Sequence, residues 1–282
     1  MVCSRRHSGR AASWRAGLGA LAMLLTLPAA AAAADFPALR GSFTPGYMRW
    51  DGIVLGATLG DANMSTDFSE TSGSIVSNML RNSTLDSENH ISDWSVLSND
   101  VSGSTSYGGF IGYNKQWDQI VLGLDLAYHR FSNLQTSDSS SLRRVASTSD
   151  GTSHDVTVTA QSSEQLVDYG TFRLRAGYAF GQFLPYAMIG GALGRFNYST
   201  SVSLSDTQTD SNGVVYSPLV FPTQTDAKDN AYAAGLAVGL GLDVAVLPNV
   251  FLRAEWEYVT FGTVNGINSY MNNGRVGVGV RF

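Results

Sequence analysis

The chain has 282 residues, 44% hydrophobic and only 15% charged, with a formal net charge of -5. A chain short of cations is a poor match for a phosphate backbone, which excludes nucleic acid as a partner. The single cysteine, Cys3, excludes disulfides and thiolate metal sites from all that follows it.

Residues 1–34 read as a secretory signal peptide. Arg5, Arg6, Arg10 and Arg15 form a basic head without an acid, Ala16 to Leu27 an apolar middle, and an alanine run to Ala34 offers small residues for cleavage. The apolar middle is too short to cross a bilayer as a helix. Residues 35–49, with Pro37 and Pro45 and little pattern, are expected to be a periplasmic lead-in.

Residues 50–282 keep a rhythm that predicts one domain. Candidate strands fall at about 50–61, 104–116, 119–131, 166–180, 183–198, 231–246, 249–262 and 273–282. Very short turns near Asp118, Gly181 and Pro248 alternate with long polar stretches at 62–103, 133–164, 200–230 and 263–272, expected to be loops. Several strands alternate cleanly. Leu122, Leu124, Leu126 and Tyr128 oppose Gly123, Asp125, Ala127 and His129, and Phe172 and Leu174 oppose Arg173 and Arg175. Leu236 to Val244 opposes Gly239, Gly241 and Asp243, and Leu252, Ala254 and Trp256 oppose Arg253, Glu255 and Glu257. At the end, Val276, Val278, Val280 and Phe282 share one face and Gly277, Gly279 and Arg281 the other. Apolar-out strands of this length and even number predict an all-β fold: an eight-stranded antiparallel transmembrane β-barrel of the bacterial outer membrane, with short periplasmic turns and long extracellular loops. Aromatic girdles are expected from Trp50, Trp117, Phe180 and Phe183 near the short turns. Tyr107, Phe131, Tyr169, Phe196, Tyr198, Tyr232 and Phe261 would form the second girdle near the long loops.

Four segments carry a resemblance. They are G-Y-N-K-Q at 112–116 with I-V-L-G-L-D-L-A-Y at 120–128, R-A-G-Y-A-F-G-Q-F-L-P-Y-A-M-I-G-G-A at 175–192, R-A-E-W-E-Y-V-T-F-G at 253–262, and the V-G-V-G-V-R-F end. They are similar to the small outer-membrane barrels labelled "porin family" in rhizobial and related alphaproteobacteria, the group of the 25- and 31-kilodalton surface antigens. The resemblance implies an eight-stranded outer-membrane barrel. It also implies that the terminal strand, with Val276, Val278, Val280 and Phe282, is the signal read by the barrel-assembly machinery.

An eight-stranded barrel is just wide enough for its own side chains to fill. The inward set holds Arg173, Arg175, Arg253, Arg275 and Arg281 against Asp125, Asp243, Glu255 and Glu257. These charges are expected to form a lumen ion-pair network that plugs the bore, with Glu255 opposite Arg281. The expected role is structural: supporting the envelope and presenting acidic loops to lipopolysaccharide and to surface or host ligands. The alternatives are a narrow pore for small solutes or ions, and a surface binder such as an adhesin or haem binder. The first loop carries Asp61, Asp67, Glu70, Asp86, Glu88, Asp93 and Asp100 against Arg81, and reads as solvated surface. No cofactor or metal is expected, and no enzymatic activity. His129, Ser132, Glu164 and Asp168 only loosely suggest a hydrolase, and His90 and His154 read as surface residues.

Overall fold

The computed structural model describes residues 49–282; the expected signal peptide and nearly all of the lead-in lie outside the described residues. Eight antiparallel strands close into a barrel: β1 (Gly52–Asp67), β2 (Asn99–Trp117), β3 (Ile120–Ser147), β4 (Ser153–Tyr178), β5 (Phe183–Thr209), β6 (Leu219–Leu247), β7 (Val250–Phe261) and β8 (Asn268–Arg281). Each pairs with its neighbour in sequence, and β8 closes on β1 with Leu55 opposite Val280 and Ala57 opposite Val278. The outward side chains of the expected apolar faces are exposed, among them Leu122, Leu124, Leu126, Phe172, Leu174, Leu252, Trp256, Val276 and Val278. That exposure is what a lipid-facing surface requires.

One end of the barrel has tight turns. Asp118, between β2 and β3, and Gly181, between β4 and β5, take left-handed backbone angles (φ 52° and 59°) that reverse the chain in very few residues.

The other end differs from the loops expected there. The stretches 133–164 and 200–230 are mostly strand, so the β3–β4 and β5–β6 hairpins rise far above the lipid-facing belt. The reason is a period of two hidden in polar composition. Val156, Val158 and Ala160 on β4, and Val202 and Leu204 on β5, point inward and are buried, while the residues between them are mostly Ser, Thr and Gln. The last expected loop, 263–272, shrinks to a tight hairpin. Asn265 and Gly266 both have positive φ (50° and 77°), and Val264 and Ile267 exchange backbone hydrogen bonds of 3.0 and 2.8 Å. Asn-Gly is the dipeptide a type I′ turn favours.

The first polar stretch is also ordered. Between β1 and β2 the chain forms helix α1 (Gly73–Leu80), helix α2 (Thr84–Asn89) and a 3₁₀ turn (Ile91–Asp93). Helix α1 has Ile75, Val76 and Leu80 on one buried stripe. Ser83 caps α2 by accepting from the Leu85 N–H at 3.1 Å, and His90, left-handed at φ 49°, ends it. This segment packs its apolar side chains onto the inner face of the raised hairpins, in a cluster of Phe68, Ile75, Val76, Leu80, Leu85 and Ile91 with Val156, Val158, Val202 and Leu204.

Candidate functional site: the filled lumen

The interior is occupied from one end to the other. At the short-turn end Trp50, Phe110, Val121, Leu184, Tyr186 and Phe251 form an apolar floor, with Trp50 and Phe110 within 6.0 and 6.2 Å of the Phe251 ring. Glycines make the room. A Cβ at Gly241 would lie 2.2 Å from the Tyr186 ring, and one at Gly279 would lie 2.2 Å from the Phe251 ring. The inward glycine spaces are therefore filled by rings from neighbouring strands.

Above the floor lies the charged layer. Arg253 grips Asp243 in two bonds of 2.9 Å each, a bidentate fork, and reaches Asp125 at 3.2 Å. Arg173 donates to Asp125 at 2.7 Å, to Glu257 at 3.2 Å and to Glu255 at 3.4 Å. Arg175 donates to Asp243 at 2.8 Å. Arg275 donates to Glu255 at 2.7 Å and to Glu257 at 2.6 Å. Two tyrosines complete the set: Tyr186 donates to Glu255 at 2.6 Å and Tyr169 to Glu257 at 2.9 Å. The Arg253 and Arg175 guanidiniums stack at 3.8 Å on Phe110 and Tyr186, so the charged layer and the floor are continuous. The arginines and carboxylates named are equal in number and all buried. Such a set offsets the cost of taking its charges out of water only while every member keeps its partners.

Arg281 stands apart from this cluster, a correction to the sequence-based expectation. It donates to the Pro248 carbonyl at 2.6 Å beside the β6–β7 turn. Glu255 lies opposite Arg275, because the Asn265–Gly266 turn sits earlier in the chain than the expected loop centre and shifts the β7–β8 register.

Above the charges, His129 and Phe131 stack on Tyr169, with ring centroids at 5.2 and 5.7 Å, and Phe196 meets Phe261 edge-on at 5.0 Å. The expected girdles lose five residues to the interior, four from the long-loop end and Trp50 from the short-turn end. Trp50, Phe131, Tyr169, Phe196 and Phe261 are buried inside the barrel, while Tyr107, Trp117, Phe180, Phe183 and Tyr232 remain outward and exposed. The inward phase explains it: Phe261 shares the parity of Glu255 and Glu257, and Phe131 that of Asp125 and His129.

Higher still, Glu164 receives the hydroxyls of Thr66, at 3.5 Å, and Ser269, with Thr136 2.8 Å from Thr66. Its strand neighbours Ser163 and Gln165 face outward, so this level lies beyond the lipid-facing belt. Burial without a countercharge pushes the Glu164 carboxyl up to about 7.

The cap is tied down by acids that the sequence assigned to solvated surface. Glu88 accepts from the Ser149 N–H at 2.7 Å and the Ser149 hydroxyl at 2.8 Å, and Asp86 accepts from the Ser92 N–H at 2.7 Å. Asp138 accepts from the Ser98 N–H at 2.7 Å, and Asp100 from the Ser137 N–H at 2.9 Å. His154 is buried rather than surface-exposed, with Nδ1 2.8 Å from Asp206, because its strand phase points inward beneath the hairpin tip; His90 is exposed. The loosely hydrolase-like set does not converge. His129 lies within the ring stack, Glu164 among hydroxyls, and Asp168 pairs with Arg195 on the outer wall, while Ser132 is exposed. Among the described residues no group of three or more His, Cys, Asp or Glu could hold a metal ion.

The family model of the outer membrane protein beta-barrel domain matches residues 19–282, and the chain belongs to that family. Its place is the bacterial outer membrane. Distant similarity also reaches solved structures. Neisserial surface protein A is 14% identical over 82% of this chain and 97% of that one, with a TM-score of 0.34. OprG from Pseudomonas aeruginosa is 12% identical over 82% and 96%, with a TM-score of 0.35. Ail of Yersinia pestis, in complex with the heparin analogue sucrose octasulfate, is 13% identical over 82% and 99%, with a TM-score of 0.31. No curated protein matches the chain.

Proposed function

We propose that this outer-membrane barrel is a closed structural protein of the envelope, its bore plugged by the arginine–carboxylate layer, and that it carries its extracellular hairpins on a rigid capped mouth. The observation that carries this reading is Arg253. Its side chain is wholly buried, is shared between Asp243 and Asp125, and has Phe110 stacked against it. Opening a path past it would leave carboxylates of two strands underpaired. The apolar floor and the cap add barriers on either side. Solute uptake into vesicles tests the reading: small sugars should enter no faster with the protein than without it, and rapid uptake would refute closure.

The role is non-enzymatic, and no cofactor is invoked. The terminal strand, with Val276, Val278, Val280 and Phe282 outward, serves as the signal for barrel assembly. The strand motifs support kinship with the rhizobial surface antigens. A second reading, surface binding, is favoured by Val214, Val215, Tyr216, Leu219 and Val220, which are exposed around the tip of the β5–β6 hairpin. An apolar tip in water is a candidate contact for a surface ligand.

A further inference from the structure

Above the lipid-facing belt the wall changes chemistry while keeping its strands. On β3 to β6 the lipid-facing belt of large apolar side chains ends near Tyr128, Phe172, Leu193 and Tyr232, and exposed apolar residues recur near the hairpin tips, at Val145 and Val220. A polar border follows, where Arg195 donates to Asp168 at 3.2 Å and to Asn230 at 3.2 Å. Beyond the border the register aligns Ser139, Gln161, Ser201 and Thr225 in one row across four strands, and Ser141, Thr159 and Ser203 in the next. These residues face outward, because the alternate positions Ala160, Ser162 and Val202 are buried against the interior. Hydroxyls within the rows hold one another: Ser141 and Thr159 at 2.9 Å, Ser201 and Thr225 at 2.8 Å. Farther out, Arg143 and Asp155 neutralise each other at 2.7 Å.

We propose that this hydroxyl face is a docking surface for the neutral sugars of the surrounding lipopolysaccharide. Position carries much of the argument. The face continues directly from the lipid-facing belt, so a lipid whose acyl chains pack on Phe172 and Leu193 holds its headgroup sugars against these rows. About ten residues of strand, at about 3.3 Å each and a tilt of about 40°, raise the face roughly 25 Å above the belt. Chemistry carries the rest. Ser, Thr and Gln both donate and accept, as sugar hydroxyls do. The hydrogen bonds within each row fix these side chains in advance, which lowers the ordering cost of each contact. A surface built to hold phosphate would present arginine or lysine, and here Arg130 and Arg195 sit below the rows, at the border. A protein partner would favour an apolar centre, which the rows lack.

The test uses the full chain refolded in detergent micelles, titrated with core oligosaccharide freed of acyl chains and phosphate, and read by NMR shifts of backbone amides. Saturable shifts across residues 157–163 and 199–205 are expected. The variant S139A/Q161A/S201A/T225A should weaken binding at least about five-fold with the heat-modifiable gel mobility of a folded barrel retained. If that variant does not fold, S201A/T225A provides the same reading with a loss of about two-fold. Absence of saturable shifts on the rows, shifts centred on Arg130 and Arg195 instead, or unchanged affinity in the folded variant would overturn the proposal.

Discussion

Between Asp125 and Glu257 the lumen is filled by arginines and carboxylates from β3, β4, β6, β7 and β8, whereas the outer mouth is filled by aliphatic side chains from one inserted segment. The two regions are filled by opposite means, and geometry explains why. In the belt the wall is a closed ring, and every filling residue must come from a strand across the bore. Long guanidiniums can span it, and those of Arg173, Arg175 and Arg253 each meet carboxylates from two or more strands. At the mouth only the two tall hairpins continue upward, leaving an open four-stranded sheet whose inner face is apolar. Helices α1 and α2 cover it as they would in a soluble domain. The charged layer should therefore fail abruptly when one member is lost, and the cap should fail locally.

The largest expected effect is at Arg253. Arg253→Ala leaves Asp243 and Asp125 underpaired inside the barrel and should cost about 3–5 kcal/mol, read as a shift in urea unfolding of the micelle-bound protein. Replacing Arg253 and Asp243 together by Met and Leu should cost less than the single change; a larger loss would show that the pair itself, rather than the stranded charge, sets the stability. Next comes the cap. Leu80→Ala should cost about 2–4 kcal/mol in the cap alone, seen as faster proteolysis within residues 68–98 with the barrel's heat-modifiable mobility unchanged. A barrel that unfolds together with its cap would break the distinction between the two regions.

The boundary between the regions is tested by pH. Glu164 has a raised folded-state pKa of about 7, against 4.5 for the ordinary carboxyl. The folded protein thus holds a proton that the unfolded chain releases across this window, and stability falls as pH rises from about 4.5 to 7. The penalty should reach about 3 kcal/mol above pH 7 and be absent in Glu164→Gln. Proteolysis of the cap at pH 5.5 and pH 8 measures it, and equal rates at both would contradict a raised pKa at Glu164. The smallest effect is expected at Arg281, whose partner is a backbone carbonyl near solvent. Arg281→Ala should cost less than about 1 kcal/mol in the same urea measurement, and a loss like that of Arg253→Ala would return it to the network.

The closed ring and its facing were legible because lipid makes alternation unambiguous: Leu122, Leu124 and Leu126 could face nowhere else. The charged side chains followed by parity, and Arg281 shows where parity is insufficient, since height in the barrel depends on register. That register was encoded in Asn265–Gly266, a turn signal lying within what reads as a loop. The buried rings of Phe131 and Phe261 were equally available from parity, but position near a strand end suggested a girdle. The tall hairpins were hidden because a Ser/Thr face in water and a loop share a composition. The alternation of Val156, Val158 and Ala160, and of Val202 and Leu204, separates them. The hydroxyl cluster around Glu164 joins β1, β3, β4 and β8, a convergence that only closure of the ring creates.

Single-channel recording in planar bilayers tests the central claim most directly. The closed-lumen account predicts no steady conductance from the purified protein, with current steps emerging only when Arg253 and Arg173 are both replaced by alanine. A steady, high conductance from the unaltered protein, equal to that of the double variant, would contradict it.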